Sequence, residues 1–378
     1  MGGPLAGVRV LELGGIGPGP LAAMILADLG ADVLRVDRPN DDLRLTRPEH
    51  NLLHRGRRSA IVDLRQDGGA DVIRRLAEKA DVVTEGYRPG VAERLGIGPD
   101  DLMAANPRLV YGRMTGWGQE GPLAASAGHD IAYIAVTGSL HAIGRAGGPP
   151  QVPINLLGDF GAGSMFLVTG VLAALLEARV SGRGQVVDAA IVDGAAVLST
   201  MVHGFLAAGV WRDERGSNLL DTGAPFYDVY ETADGRHMAV GALEPQFYAE
   251  FVRLLEAGDD LPRQHDAARW PELRARIAQR FSTKTMAEWT AVFEGTDACV
   301  APVVSLGEAH DHPHLAARGT FIRDNGVVQP APAPRFSRTP AALGEPPAAP
   351  GQHTRAALAD WGIDDVQDLI TRGVVVQR

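Results

Sequence analysis

The stretch VRVLELGGIGPGPLAAMILADLGADVLRVDRP, residues 8–39, decides the fold. Val8–Leu13 is a short apolar block that stops at glycine, which predicts a buried strand. Gly14–Pro20 is a Gly/Pro turn, Leu21–Leu29 is long and apolar enough for a helix, and Val33–Val36 reads as the next strand. One strand–helix–strand unit of this kind needs a crossover connection and therefore a parallel sheet. The pattern recurs outward from it. Ser59–Leu64, a helix near Ala70–Glu78 and Val82–Glu85 form a second unit, and Leu109–Met114 adds a strand before the glycine-rich Gly116–Gly121. The longest expected helix runs from about Ala162 to Arg179 and stops at Ser181-Gly182-Arg183-Gly184, ahead of a strand over Val186–Ala190. The class is therefore α/β, with a Rossmann-like large domain.

The texture changes at Ala224. Tyr227–Glu231 and His237–Gly241 flank Ala233-Asp234-Gly235, the signature of a hairpin with an Asp-Gly turn, and helices are expected at Glu272–Phe281 and Met286–Phe293. This is a smaller α+β domain. Seven prolines among residues 329–350 exclude regular structure there, and a last helix is expected at Ile363–Thr371. The resulting division is 1–200 for the large domain, 201–223 for a linker, 224–315 for the small domain, and 316–378 for a Pro-rich return with the C-terminal part.

Composition excludes several classes of function. The chain of 378 residues has 46 acidic against 36 basic side chains, a formal charge of −10, so general affinity for nucleic acid or an anionic membrane is not expected. A single cysteine, Cys299, excludes an intrachain disulfide and fits a reducing compartment, so a cytoplasmic location is expected. The first residues lack the basic and apolar regions of a signal peptide, and no uninterrupted apolar run reaches membrane-spanning length.

The first turn resembles a dinucleotide fingerprint, with Gly15, Gly17 and Pro20 in place and Asp37 about 20 residues on. However, Pro18 and Pro20 have no amide hydrogen for a pyrophosphate, so no nicotinamide cofactor is expected. Arg38, Arg44, Arg47, Arg55, Arg57, Arg58 and Arg65 face only Asp41, Asp42, Glu49 and Asp63 within the same stretch. That local excess is either a phosphate-binding patch or a solvated loop. Arg88 follows a strand end, where open α/β sheets bind ligands and where surface turns also lie. His310-Asp311-His312-Pro313-His314 lacks the i, i+4 spacing of a helical zinc pair, so no metal site is expected. Two segments carry proton chemistry. Gly128-His129-Asp130 sets an imidazole between a glycine and a carboxylate, and Gly158-Asp159 sets a carboxylate just before the long helix. His129 is either a base or a structural histidine, and Asp159 either a base or an N-cap. Glu244-Pro245 is a further acid or simply a helix start.

Together, LADLGADVLRVDRP (26–39), EGYRPGV (85–91), MTGWGQEGP (114–122), AGHDIAYIA (127–135), NLLGDFGAGSMF (155–166), SGRGQVVDAAIVDG (181–194) and VGALEPQFY (240–248) resemble the family III coenzyme A transferases over nearly the whole chain, and within them the racemase branch. The resemblance implies a large domain built from both chain ends, a smaller second domain and an interlocked homodimer. It implies an acyl-CoA thioester substrate, with coenzyme A as part of the substrate and no separate cofactor. In the racemases the base pair maps onto His129 and Asp159, with Glu244 as an acidic helper. In the transferases the equivalent of Asp159 is instead a nucleophile. Coenzyme contacts carry over to Arg38, to Val62, Asp63, Leu64 and Arg65, and to Gly128, Asp130, Ile131, Ala132 and Tyr133. Arg88, found from its strand-end position, completes the candidate binding set. For a 1,1-proton transfer at a thioester α-carbon, one base is needed on each face and donors are needed for the enolate oxygen, here expected from the helix amides after Asp159.

Overall fold

The computed structural model describes residues 2–40, 46–258 and 260–378. Arg9–Leu13 (β1), Asp32–Asp37 (β2), Arg57–Val62 (β3), Val82–Glu85 (β4), Val110–Thr115 (β5) and Val186–Ala190 (β6) pair in parallel, with Val375–Val376 (β12) antiparallel on β3, in the order β12-β3-β2-β1-β4-β5-β6. The order reverses between β1 and β4, which is the switch point where sheets of this class open a crevice. One sheet face carries the main apolar core: Leu11, Leu13, Leu34, Val36, Ala60, Val62 and Val83 pack with Ile73 and Leu76 of the helix Gly69–Ala77 and with Trp361 from the C-terminal region, and the same face buries the Glu85–Arg113 ion pair. The other face carries Glu12, Arg35 and Ser59 side by side in register.

The expected turn after β1 is shorter than the sequence indicated. The helix starts at Pro18 and runs to Asp28, because prolines tolerate the first helical positions, where an amide has no partner anyway. Gly17 is its N-cap, at φ 66° and ψ −112°. The long helix is continuous from Leu156 to Ser181. Its first nine residues, Leu156–Ser164, are wound as a π-helix and Met165–Ser181 as an α-helix. Asp159 therefore sits inside the helix and not ahead of it as an N-cap. This helix is long and apolar enough to cross a membrane by length and composition, but Asp159, Glu177 and Arg179 interrupt it, so it contains no uninterrupted apolar run of that length. Leu167 and Val171 pack against β5 at Gly112, where a Cβ would meet both.

Two compact units divide the chain: Met1–Thr137, Ile154–Leu198 and Ala317–Arg378 form one, Gly138–Pro153 and Ser199–Ala316 the other. Residues 138–153 and 201–223, read as large domain and linker, count with the second unit. Arg145 pairs with the buried Asp228, and Arg215 donates to the carbonyls of Gly148 (3.0 Å) and His141 (2.9 Å). Within 201–223 lies most of the helix Thr200–Ala207, followed by a turn in which the Asp221 carboxylate accepts the amides of Gly216, Asn218 and Gly223.

The second unit is an antiparallel sheet of Tyr227–Glu231 (β7), His237–Gly241 (β8) and Val300–Pro302 (β9), covered by the helices Pro245–Leu255, Trp270–Phe281 and Met286–Phe293. Phe226, Phe251, Phe281, Trp289 and Phe293 fill its core. In the first unit, a hairpin of Phe321–Asp324 (β10) and Val327–Pro330 (β11) takes in the first two residues of the Pro-rich segment, Gln329 and Pro330, where regular structure was not expected, because a proline is tolerated at a strand end. The helices Thr354–Asp360 and Val366–Thr371 follow the segment. The Thr354 hydroxyl accepts the Ile61 amide of β3, which ties the C-terminal segment to the sheet begun at the N-terminus.

Candidate functional site

His129 is the N-cap of the helix Asp130–Val136 and is exposed. Asp130, next in sequence, is 7% exposed, and its Oδ1 accepts the backbone amide of Asp159 at 2.6 Å. This hydrogen bond brings the two proton-chemistry segments together. Asp159 is half-buried; its Oδ2 accepts Asn155 Nδ2 at 3.4 Å and lies 3.0 Å from where a Cβ on Gly17 would stand. The glycine/proline turn thus borders the Asp159 carboxylate, and a side chain at Gly17 would press on it.

Burial raises the Asp159 pKa above the ordinary aspartate range; the Asn155 hydrogen bond opposes this, the Asp130 charge adds to it, and His129 opposes it. Asp159 is therefore a stronger base than a surface aspartate, and His129 is near enough for its charge to be felt. Tyr133 is 8% exposed, packs edge-on against Trp117 with centroids 4.8 Å apart, and occupies the space that side chains on Gly116 and Gly128 would fill. Burial raises its phenol pKa, Asp159 adds to the rise and Arg88 opposes it, so Arg88 and Asp159 both lie near this ring.

The amide of Phe160 bonds Asn155 O at 3.2 Å within the π-helical turn. This donor after Asp159 is committed to the helix, contrary to the expectation for the enolate oxygen. In the helix Asp130–Val136 the first amides have no intrahelical partner, and those of Asp130 and Ile131 follow His129 directly.

The arginine patch is largely neutralised, by the local Asp63 and by carboxylates distant in sequence. Arg55 pairs with Asp28, Arg57 with Glu12, Arg58 with Asp32 and Asp360, and Arg65 with Asp63. Burial, then Arg35 and Arg57, push the His54 imidazole down to about 2, so it adds no charge. Arg38 and Arg47 have no carboxylate partner among the described residues, and the Arg38 guanidinium lies 5.5 Å from the Tyr87 ring centroid. Asp41, Asp42 and Arg44 lie outside the described residues. Of the remaining candidate contacts, Val62 points into the core, Leu64 packs beside it, and Ile131 is exposed with Ala132 half-buried. Asp63 is buried with its carboxylate on Arg65 Nε at 2.9 Å. Glu244 is the exposed N-cap of the helix Pro245–Leu255 in the second unit.

Sequence reasoning missed Gly17, Asn155 and Gly116 at this site. The available signal was the clustering of glycines at 14–19, 116–121 and 158–163. Among the described residues no group of three His, Cys, Asp or Glu side chains is placed to hold a metal.

Residues 5–354 match the profile of CoA-transferase family III. The chain belongs to that family. It is 46% identical over 370 residues to an alpha-methylacyl-CoA racemase of Mus musculus, covering 97% of this chain and 95% of the relative. It is 29% identical over 399 residues to a succinyl-CoA:glutarate CoA-transferase of Mus musculus, covering 99% and 91%. A crystal structure of a CaiB/BaiF family protein from Brucella suis superposes with a TM-score of 0.83 at 26% identity, covering 96% of this chain and all of that one.

Proposed function

We propose that this family III protein is a racemase of 2-methylacyl-CoA thioesters, inverting the α-carbon by 1,1-proton transfer through an enolate. The observation that carries the reading is the pairing of Asp159, half-buried with a raised pKa, with His129 across the Asp130 hydrogen bond. A thioester α-hydrogen is a weak acid, and its removal needs a base that holds its proton near neutral pH. Burial moves Asp159 toward that condition, and His129 supplies the imidazole for the opposite face. One removes the proton from one face and the other returns a proton to the opposite face. The enolate oxygen takes the first amides of the helix Asp130–Val136, whose dipole favours negative charge. Glu244 keeps, within this proposal, the part of acidic helper that the resemblance implies. No separate cofactor enters this chemistry, and coenzyme A belongs to the substrate.

The coenzyme phosphates fall to Arg38 and Arg88, because the other described arginines near Arg38, apart from Arg47, already face carboxylates. A cytoplasmic homodimer completes the proposal. The dimer is supported by exposed apolar side chains at Leu176 (65%) and Val180 (90%) on the long helix and at Val186 on the edge strand β6, which a monomer would leave in water.

The same family includes CoA-transferases, for which Asp159 would be the nucleophile. The greater identity to the racemase, 46% against 29%, and the presence of His129 favour proton transfer. The experiment is incubation of each enantiomer of a 2-methylacyl-CoA in heavy water, with and without a free carboxylate. Deuterium uptake with inversion, abolished as inversion in both His129→Gln and Asp159→Asn, supports the reading. Carboxylate-dependent acyl transfer faster than α-proton exchange overturns it.

A further inference from the structure

Asp130 stands among the residues expected to touch the coenzyme, yet its carboxylate is turned inward. It is 7% exposed, Oδ1 accepts the Asp159 amide at 2.6 Å, and Oδ2 is buried without a partner among the described residues. Gly158 is pressed against it so closely that a Cβ there would stand 2.3 Å from Oδ1 and 3.0 Å from Ile134 Cγ2. A buried carboxylate with one oxygen unpaired is costly, so the bond it does make carries weight. That bond falls on the π-helical turn, where the winding is looser and the position of each side chain is less determined by helix geometry alone.

We propose that Asp130 is a positioning residue for Asp159: it clamps the Asp159 peptide to the start of the helix Asp130–Val136 and so fixes that carboxylate relative to His129. This rests on the racemase reading for its consequence in catalysis, though not for the clamp itself. The groups facing Asp159 in its own unit are His129, Asp130 and the Tyr133 phenol, with Asn155 on its oxygen. Asp130 contributes both a hydrogen-bond acceptor and a negative charge, and the two are separable. Asp130→Asn keeps an acceptor oxygen and removes the charge. Asp130→Ala removes both.

Amide hydrogen exchange by mass spectrometry over residues 154–164 tests the clamp without reference to activity. Exchange in that peptide should rise in Asp130→Ala and return toward the unsubstituted protein in Asp130→Asn; equal protection in all three overturns the clamp. Kinetics then test the consequence. Misplacement of a base by about 1 Å costs on the order of 100-fold in rate, so Asp130→Ala should lose about that much kcat with KM within about threefold. Asp130→Asn should recover most of kcat and move the acid limb of the kcat/KM profile to lower pH, because a like charge beside Asp159 is gone. A raised KM at unchanged kcat in both variants would make Asp130 a coenzyme contact and overturn the proposal. Absence of α-proton exchange in the unsubstituted protein would overturn the racemase reading and leave the clamp to the exchange result.

Discussion

Replacing Gly17 by alanine tests whether the turn after β1 is built around Asp159. Gly17 sits at φ 66° and ψ −112°, outside the regions that an L-residue occupies readily. Forcing a side chain into such a conformation costs about 1–3 kcal/mol. Alanine also restricts the unfolded chain, which returns about 0.4–1 kcal/mol only where the native conformation suits it, and here it does not. The new Cβ stands 3.0 Å from Asp159 Oδ2, so the carboxylate must yield by a few tenths of an ångström. With 1 Å worth about 100-fold, a shift of that size lowers kcat by roughly three- to tenfold. Gly19, two residues on, is the control: nothing lies within 4 Å of a Cβ there, and it occupies the first turn of a helix, where alanine is preferred to glycine by about 0.5–1 kcal/mol. Guanidinium unfolding should show Gly17→Ala destabilised by about 1–3 kcal/mol, or about 5- to 150-fold in the folding equilibrium, with Gly19→Ala neutral or stabilised. Deuterium exchange at the substrate α-carbon should fall only in Gly17→Ala. Equal effects at the two glycines, or a Gly17→Ala protein with full stability and rate, would refute the reasoning.

Arg57→Met leaves the buried Glu12 carboxylate without its cation and should cost about 3–5 kcal/mol by chemical unfolding, whereas Glu12→Gln combined with Arg57→Met should recover part of it. Arg38→Ala should raise KM for the CoA thioester about tenfold and leave KM for the matching pantetheine thioester, which lacks the nucleotide phosphates, unchanged in steady-state assays. Because burial raises the Asp159 pKa and a carboxylate abstracts a proton only when ionised, inversion of the enantiomer whose α-proton Asp159 removes should be present at higher pH and fall as pH drops through a value above the ordinary aspartate range; a pH–rate profile flat down to pH 4 for both enantiomers would contradict this. Light scattering should give twice the chain mass, and an active monomer would remove the dimer from the proposal.

Local sequence determined the elements whose cause is local. The β7–β8 hairpin follows from alternation around Ala233-Asp234-Gly235, and its strands fall where the pattern set them, Tyr227–Glu231 and His237–Gly241. The helix Met286–Phe293 begins where Thr285 and Glu288 cap each other. The parallel sheet follows from apolar blocks separated by helix-length segments, and the family from motifs spread along the chain. Sequence also brought out His129 and Asp159 as residue types, but could not fix their roles, because imidazoles and carboxylates serve as caps and structural groups as often as bases.

Tertiary structure alone decided the electrostatics of the site. Arg55, Arg57 and Arg58 looked like a free positive patch, yet their partners Asp28, Glu12 and Asp360 lie 27, 45 and 302 positions away. Strand pairing and chain return bring those charges together, and a Coulomb interaction depends on distance in space, not along the chain. The same holds for Asp130 and Asp159, 29 positions apart and joined by one hydrogen bond. It holds for Gly17 as well, whose missing side chain has meaning only because the Asp159 carboxylate occupies the space beside it.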